Sequence, residues 1–261
     1  MKIGIIGLGW LGLPLAKSLL SKGCQVTGTT RSRSVNLAHE RFLHVTFDPR
    51  QKHFADSSCF NDSNVLVLAF APAGTNEKVY AKDCIRTTDL IAPSCKVILL
   101  SSSGVYPKRD GIFKEEDYPA GFIKNNAAGY AELALSSVLR ERLTVIRLAG
   151  LVGPNRYPVT AMSKSGKSYQ SQERVNLIHQ EDAIGLIEFV IEHKLWNQTI
   201  NGCSTKHPLR GPFYTEMARK LGIEAPPFEH KNRLERIISN KHSLDLGYKY
   251  LYPDPAAYPI A

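Results

Sequence analysis

The chain has 261 residues, 33 Lys and Arg against 24 Asp and Glu for a net charge of +9, and a composition 43% hydrophobic and 22% charged. A chain of this length buries roughly 70–75% of its unfolded surface, which excludes a disulfide-dependent mini-protein and leaves one large α/β domain or a domain with an appendage. No apolar run approaches the ~18 residues of a membrane span, and the basic residues are dispersed, with no run of five and no RRM, zinc-finger or KH pattern, so neither a membrane nor a nucleic-acid partner is expected.

In chain order, Lys2–Ile6 reads as a short apolar strand, followed by a glycine turn and a helix from about Leu11 to Ser21 that stops at Gly23. This opening is a strand and a turn rather than a signal peptide. Gln25–Thr29 is the second strand. His44–Phe47, Val65–Phe70, Val97–Leu100, Thr144–Leu148 and Thr199–Gly202 follow, mostly β-branched and apolar on both faces, as in a parallel sheet covered on both sides. Between them lie helical patterns at Asn76–Ile91, Asn126–Arg140 and Glu181–His193, the last with Ile184, Ile187, Val190 and Ile191 on one face. The alternation predicts an α/β fold, a Rossmann doubly wound parallel sheet over residues 1–150 completed by about 176–202. Residues 151–175 and 203–261 lose the rhythm and are expected to form a small C-terminal substrate cap. Only Gly211 to Gly222 reads there as a helix, with Pro212 in its first turn and Gly past its end.

Gly7-Leu8-Gly9-Trp10-Leu11-Gly12 is a complete GxGxxG between the first strand and the first helix. In such a turn the first glycine permits the bend, the second admits a pyrophosphate to the backbone and the third lets helix and strand pack closely, while the helix N-terminus offers N–H groups to the anion. Gly7, Gly9, Trp10, Leu11 and Gly12 are therefore candidate cofactor-binding residues. About 20 positions after the glycines an NAD-binding chain carries Asp or Glu for the ribose 2′-OH. Here the second strand ends Thr29-Thr30-Arg31-Ser32-Arg33, without a carboxylate. Guanidinium and hydroxyl groups at Thr30, Arg31, Ser32 and Arg33 suit a 2′-phosphate, so NADP is expected in preference to NAD.

Four further segments carry a family pattern: Ser101-Ser102-Ser103-Gly104-Val105-Tyr106-Pro107, Arg147-Leu148-Ala149-Gly150-Leu151-Val152-Gly153-Pro154, Val175-Asn176-Leu177-Ile178-His179 with Glu181-Asp182, and Leu246-Gly247-Tyr248. Together they span the chain in the order of the extended short-chain dehydrogenase/reductases, the NAD-dependent epimerase/dehydratases, which the sequence resembles. The Gly-Leu-Gly-Trp-Leu-Gly opening and Tyr252-Pro253-Asp254-Pro255 resemble its atypical YeeZ-like branch. The resemblance implies a nucleotide-holding Rossmann domain and a small C-terminal region closing over a substrate, often a nucleotide-linked sugar. It also implies a Tyr acid/base, a Lys four residues later and a Ser or Thr that polarises the reacting oxygen.

Ser102 aligns with that Ser/Thr, its alternative role being to cap a strand end, and Ser101 is placed with the cofactor. Tyr130 sits on the right helix, but Ala134 stands where the lysine belongs; a register matched on Glu132 puts Lys124 and Ala128 at the two sites and restores neither role. The usual TGxxGxxG would place a glycine at Ile6, a second departure. His179 lies in a loop that in relatives approaches the nicotinamide end. It either replaces the tyrosine as acid/base or bonds to the backbone and orients the helix start. Asp182 reads as a helix N-terminal residue favoured by the dipole. Tyr106 is expected to pack against the cap, with Asn155-Arg156-Tyr157 and Lys241-His242 as its polar pieces.

Cys24, Cys59, Cys84, Cys95 and Cys203 are odd in number and lack a CxxC pair, which argues for reduced thiols in a cytoplasm; Cys84 and Cys95 are assigned to packing. No histidine spacing supports a metal. The preferred function is an NADP(H)-binding oxidoreductase or epimerase/dehydratase-like enzyme acting on a small polar, nucleotide-sugar-like substrate. The alternative is a catalytically silent NADP(H)-binding sensor or scaffold, which would account for the missing lysine. A β-hydroxyacid-type dehydrogenase, similar at Gly-Leu-Gly-x-x-Gly, would need a long all-helical C-terminal domain that the Pro-rich remainder disfavours. Relatives dimerise through helices equivalent to Asn76–Ile91 and Asn126–Arg140, so a homodimer is an expectation.

Overall fold

The computed structural model describes residues 1–31, 35–51, 58–72, 74, 76–117 and 126–260. Ser32, Arg33 and Lys124 lie outside the described residues. The elements run β1 (Lys2–Ile6), α1 (Gly12–Ser21), β2 (Gln25–Thr30), β3 (Phe42–Thr46), β4 (Val65–Leu68), α2 (Glu77–Thr87), β5 (Lys96–Ser102), β6 (Gly111–Phe113), α3 (Ala127–Leu139) and β7 (Leu143–Leu148). They continue with β8 (Gly150–Val152), α4 (Pro158–Lys164), β9 (Tyr169–Glu173), β10 (Leu177–His179), α5 (Gln180–Glu192), β11 (Thr199–Gly202), α6 (Arg210–Leu221), β12 (Phe228–Leu234), β13 (Arg236–Ile238) and α7 (Lys241–Asp245).

Seven strands form one sheet in the order β11-β7-β5-β4-β1-β2-β3. The pairs β1–β2, β1–β4, β2–β3 and β4–β5 are parallel, and Val145 and Ala149 donate to Gln198 and Gly202 in step, so β7 and β11 run together as well. With helices flanking it, this is the Rossmann-like doubly wound sheet that strand–helix alternation predicts.

The chain divides into two compact units. The first comprises Met1–Val105, Ala120–Arg147 and Ile187–Thr199. Its core gathers Ile6, Leu66, Leu68, Val97 and Leu99 from the strands with Tyr80 and Cys84 of α2 and Leu135 and Leu139 of α3. Cys84 and Cys95 are buried there, and burial pushes both thiols up to about 12, so they act as small apolar side chains. α2 and α3 each begin on an asparagine whose carboxamide oxygen accepts a first-turn N–H, Asn76 from Lys78 at 2.8 Å and Asn126 from Gly129 at 3.1 Å.

The second unit comprises Tyr106–Pro119, Leu148–Leu186 and Ile200–Ala261. Three two-stranded parallel ladders, β8–β10, β9–β12 and β6–β13, surround a core of Val152, Val159, Leu177, Phe213, Met217 and Tyr258. Asparagines, Asn201 and Asn240 buried and Asn176 half-buried, join the irregular segments. Asn201 accepts the Tyr106 hydroxyl at 2.8 Å and donates to Ser239 O at 3.0 Å. Asn176 donates to Arg236 O and accepts from Ile238 N, and Asn240 donates to Cys203 O.

Several boundaries differ from the sequence expectation. The strand expected to reach Phe70 ends at Leu68, and Phe70 O accepts the Tyr80 hydroxyl at 2.9 Å. The helix expected to reach Ile91 ends at Thr87 and tightens into a 3₁₀ turn, where Thr87 and Thr88 donate back to Cys84 O and Ile85 O; such back-bonding competes with helix continuation. β5 runs on to Ser102 rather than stopping at Leu100. α6 matches its expected span and ends on Gly222 at φ +64°, but it is not the one helix of its region. α4 and α7 are helices of seven and five residues, too short to show a periodic pattern.

A Cβ added at Gly12 would stand 2.1 Å from Gly7 O. Gly12→Ala should therefore destabilise the protein by about 1–3 kcal/mol or more in urea unfolding, whereas Gly9→Ala, whose Cβ meets nothing within 4 Å, should leave the unfolding midpoint nearly unchanged. Equal midpoints for the two variants would contradict the packing account.

Candidate functional site

The glycine turn is built by contacts on both sides. Gly7 adopts φ +106° and donates its N–H to Thr29 Oγ1 at 3.0 Å, while Leu8 N–H reaches Thr29 O at 2.7 Å. The turn is thereby hung on the end of β2, and the Leu8 side chain takes the space that a Cβ at Gly28 would fill. Gly9 is exposed, with open space where its side chain would be. α1 starts without a side-chain cap and without an acidic residue in its first turn. A helix N-terminus of this kind, facing an open glycine at the C-terminal edge of a parallel sheet, fits the pyrophosphate of a dinucleotide.

At the end of β2, Thr30 is buried and its hydroxyl pairs with His44 Nε2 at 2.8 Å, while Arg31 is exposed. The sheet adds a carboxylate that linear spacing did not find. β2 and β3 pair Thr30 with Thr46, and Phe47 N–H donates to Thr30 O, so Asp48 leaves β3 beside Arg31. The Arg50 guanidinium grips Asp48 from Nε at 2.9 Å and Nη2 at 2.6 Å. These hydrogen bonds, aided by the charges of Arg50 and Arg31, hold the Asp48 carboxyl below its ordinary pKa.

Near the end of β5 the two serines part. Ser101 is buried and donates to Glu132 of α3, which forms a buried ion pair with Arg147 of β7 at 2.8 Å. Arg147 Nε adds contacts at 3.1 and 3.2 Å. Ser101, expected beside the cofactor, thus also ties β5 to α3, and the Glu132–Arg147 pair leaves no local signal in the sequence because its members stand fifteen positions apart. Ser102 is exposed; its Oγ accepts Gly104 N–H at 3.0 Å, and Asn126 donates to Gly104 O at 2.7 Å. Tyr130, one turn after Asn126, is partly buried against the core of its unit, as is Ala134.

In the second unit His179 is 0% exposed. Its ring lies edge-on to Tyr252, with centroids 4.6 Å apart, and tilted against Tyr258 at 5.3 Å. Nδ1 accepts Glu181 N–H at 3.4 Å, and among the described residues buried Nε2 meets no hydrogen-bond partner. Burial lowers its pKa, against the opposing charges of Glu181 and Asp182, and the Tyr252–Tyr258 segment packs against the ring. Asp182 does more than meet a helix dipole: its carboxylate accepts Leu251 N–H at 2.6 Å and Tyr252 N–H at 3.0 Å, clamping that segment. Gly185 leaves room for Tyr248 to donate to Asp182 O at 2.8 Å.

Removing one partner of a buried ion pair leaves an uncompensated charge. Arg147→Met should lower stability by about 3–5 kcal/mol in urea unfolding, and adding Glu132→Gln should recover a large part of that loss. Losses that simply add would contradict the coupling.

Residues 2–95 match the family described as the NAD binding domain of 6-phosphogluconate dehydrogenase. That span holds the glycine turn and stops before β5. The matches that follow cover nearly the whole chain. Protein YeeZ of Escherichia coli K12 is 34% identical over 277 residues, covering 99% of both chains. Among solved structures, the human epimerase family protein SDR39U1 with NADPH is 15% identical with a TM-score of 0.74, covering 99% of this chain and 97% of that one. The dTDP-glucose 4,6-dehydratase of Bacillus anthracis in complex with NAD is 16% identical with a TM-score of 0.76, covering 97% and 92%. Among the described residues no helix is long and apolar enough to cross a membrane. With a full-length relative above 30% identity the chain belongs to the YeeZ family, and its fold is similar to that of the NAD-dependent epimerase/dehydratase structures.

Proposed function

We propose that this protein is an NADP(H)-dependent enzyme of the oxidoreductase or epimerase/dehydratase kind that acts on a small polar, nucleotide-sugar-like substrate. The observation that carries the reading is the open backbone at Gly9 beside the uncapped first turn of α1. Gly7, Gly9, Trp10, Leu11 and Gly12 would hold the pyrophosphate, and Thr30 with Arg31 the adenosine end, where an exposed guanidinium favours a 2′-phosphate. The bound dinucleotide would supply a hydride donor or acceptor. Ser102, exposed at the end of β5 with its Oγ already accepting one N–H, keeps its O–H to donate to the reacting oxygen of a substrate. The net charge of +9 suits an anionic substrate.

Ala134 and the core-packed Tyr130 favour a second reading, in which the protein binds NADP(H) without turning over a substrate. His179 could serve as acid/base only if the Tyr252–Tyr258 segment moved.

Titration of the purified protein with NADPH and NADH, followed by nicotinamide fluorescence, tests the first step. NADPH should bind in preference to NADH, Gly9→Ala should weaken both, and Arg31→Ala should weaken NADPH at least tenfold more than NADH; failure to bind either would overturn the reading. Once a carbonyl or sugar-nucleotide that oxidises bound NADPH is found, Ser102→Ala should reduce turnover at least 100-fold with nucleotide affinity unchanged. Full turnover in that variant would make the serine structural, and no oxidation by any such compound would favour the silent reading.

A further inference from the structure

We propose that Asn126 is a second hydrogen-bond donor to the reacting oxygen of the substrate, beside Ser102, an inference that rests on the reading of Ser102 above and deepens it. In the sheet, β5, β4 and β1 lie side by side, and a dinucleotide anchored at the turn after β1 runs along the carboxyl ends of these strands. Ser102 closes β5 at that edge. Charge that develops on a reacting oxygen there calls for fixed donors, and α3 offers Ala134 where a lysine is expected and a Tyr130 packed against the core.

Asn126 stands immediately before α3 and uses both ends of its carboxamide. Its Oδ1 accepts Gly129 N–H at 3.1 Å, which caps the helix. Its Nδ2 donates to Gly104 O at 2.7 Å, and the N–H of the same glycine donates to Ser102 Oγ at 3.0 Å. Gly104 is thus held by its N–H from one side chain and by its C=O from the other. Two residues far apart in the sequence meet over a single peptide unit.

The space over Gly104 is open. Gly104 is exposed, and a Cβ added to it would stand 3.2 Å from Ser102 Oγ and 3.8 Å from Asn126 Nδ2, the nearest atoms of other side chains. Its backbone is not left-handed, so a glycine serves here by leaving room between two polar groups.

The chemistry follows from the count of donors. A carboxamide carries two N–H groups and a serine one O–H. Among the described residues Asn126 spends one N–H, on Gly104 O, and Ser102 spends its O–H on none. An oxygen seated over Gly104 therefore meets the Ser102 O–H and the second Asn126 N–H, a pair of donors of the kind that stabilises charge on a reacting oxygen. The carboxamide does not titrate, so Asn126 stabilises that charge without supplying a proton.

Oxidation of NADPH by the full-length protein, screened with a panel of sugar-nucleotides and simple aldehydes and ketones, supplies the assay. Asn126→Ser keeps a capping oxygen for Gly129 N–H but has no N–H to donate. It should lower kcat roughly 100-fold, with the urea unfolding midpoint and NADPH affinity unchanged and KM moved less than threefold. In a Ser102→Ala background the same substitution should lower kcat at least a further fivefold, because a donor to the oxygen acts without the serine. Gly104→Ala, which fills the space between the two side chains, should lower kcat/KM at least tenfold in a folded protein. Full kcat in Asn126→Ser, a loss matched by a fall in the unfolding midpoint or in NADPH affinity, or no further loss in the Ser102→Ala background would overturn the assignment, the last by showing that Asn126 acts only through Ser102. Should no compound be oxidised, or should Ser102→Ala turn over fully, the reading of Ser102 fails and this inference with it. A crippled Ser102→Ala beside an unaffected Asn126→Ser removes this inference alone.

Discussion

The approach of α1 to β1 at Gly12 is the constraint on which the glycine-turn end of the first unit depends. With a Cβ at that position only 2.1 Å from Gly7 O, the backbone of the helix lies directly against the turn that feeds it. The first turn of α1 then stands at the end of the sheet, and Gly9, two residues beyond the bend at Gly7, has nothing within 4 Å of where its Cβ would be. The same closeness directs Leu8 inward onto Gly28 and lets Thr29 receive both N–H groups of the turn. A helix start open to a ligand thus emerges from close packing alone, without a charged side chain in the first turn.

Charge is arranged differently in the interior and at the edge. Inside the first unit, Glu132 and Arg147 are buried together and Ser101 completes the set of partners of the carboxylate. Such a pair contributes little net stability against an apolar replacement, yet it resists separation, and it fixes α3 to β5 and β7 in one arrangement. At the end of β2 and β3, Arg31, Asp48 and Arg50 remain within reach of solvent.

The middle of the central sheet was legible because β1, β4, β5 and β7 are short, largely apolar runs bounded by turn residues, a pattern that burial on both faces requires. The glycine turn was legible because its three glycines answer three separate steric demands. The second unit was less so. Its segments are held by Asn176, Asn201 and Asn240 reaching backbone groups more than thirty positions away, and such bonds leave no period in the sequence. Asp48 was missed for a related reason. It reaches the end of β2 by strand pairing, so a search at a fixed distance after the glycines passes over it. His179 was marked by its motif, but its enclosure by Tyr252 and Tyr258, more than seventy positions later, depends on the Asp182 clamp.

The account rests on a nucleotide lying across the Gly9 backbone and the start of α1. A crystal structure of the protein grown with NADPH tests this most directly. The account predicts pyrophosphate oxygens within hydrogen-bond distance of the N–H groups of residues 9–12 and the 2′-phosphate beside Arg31. A nucleotide bound elsewhere on the molecule, with the glycine turn left to solvent, would contradict it.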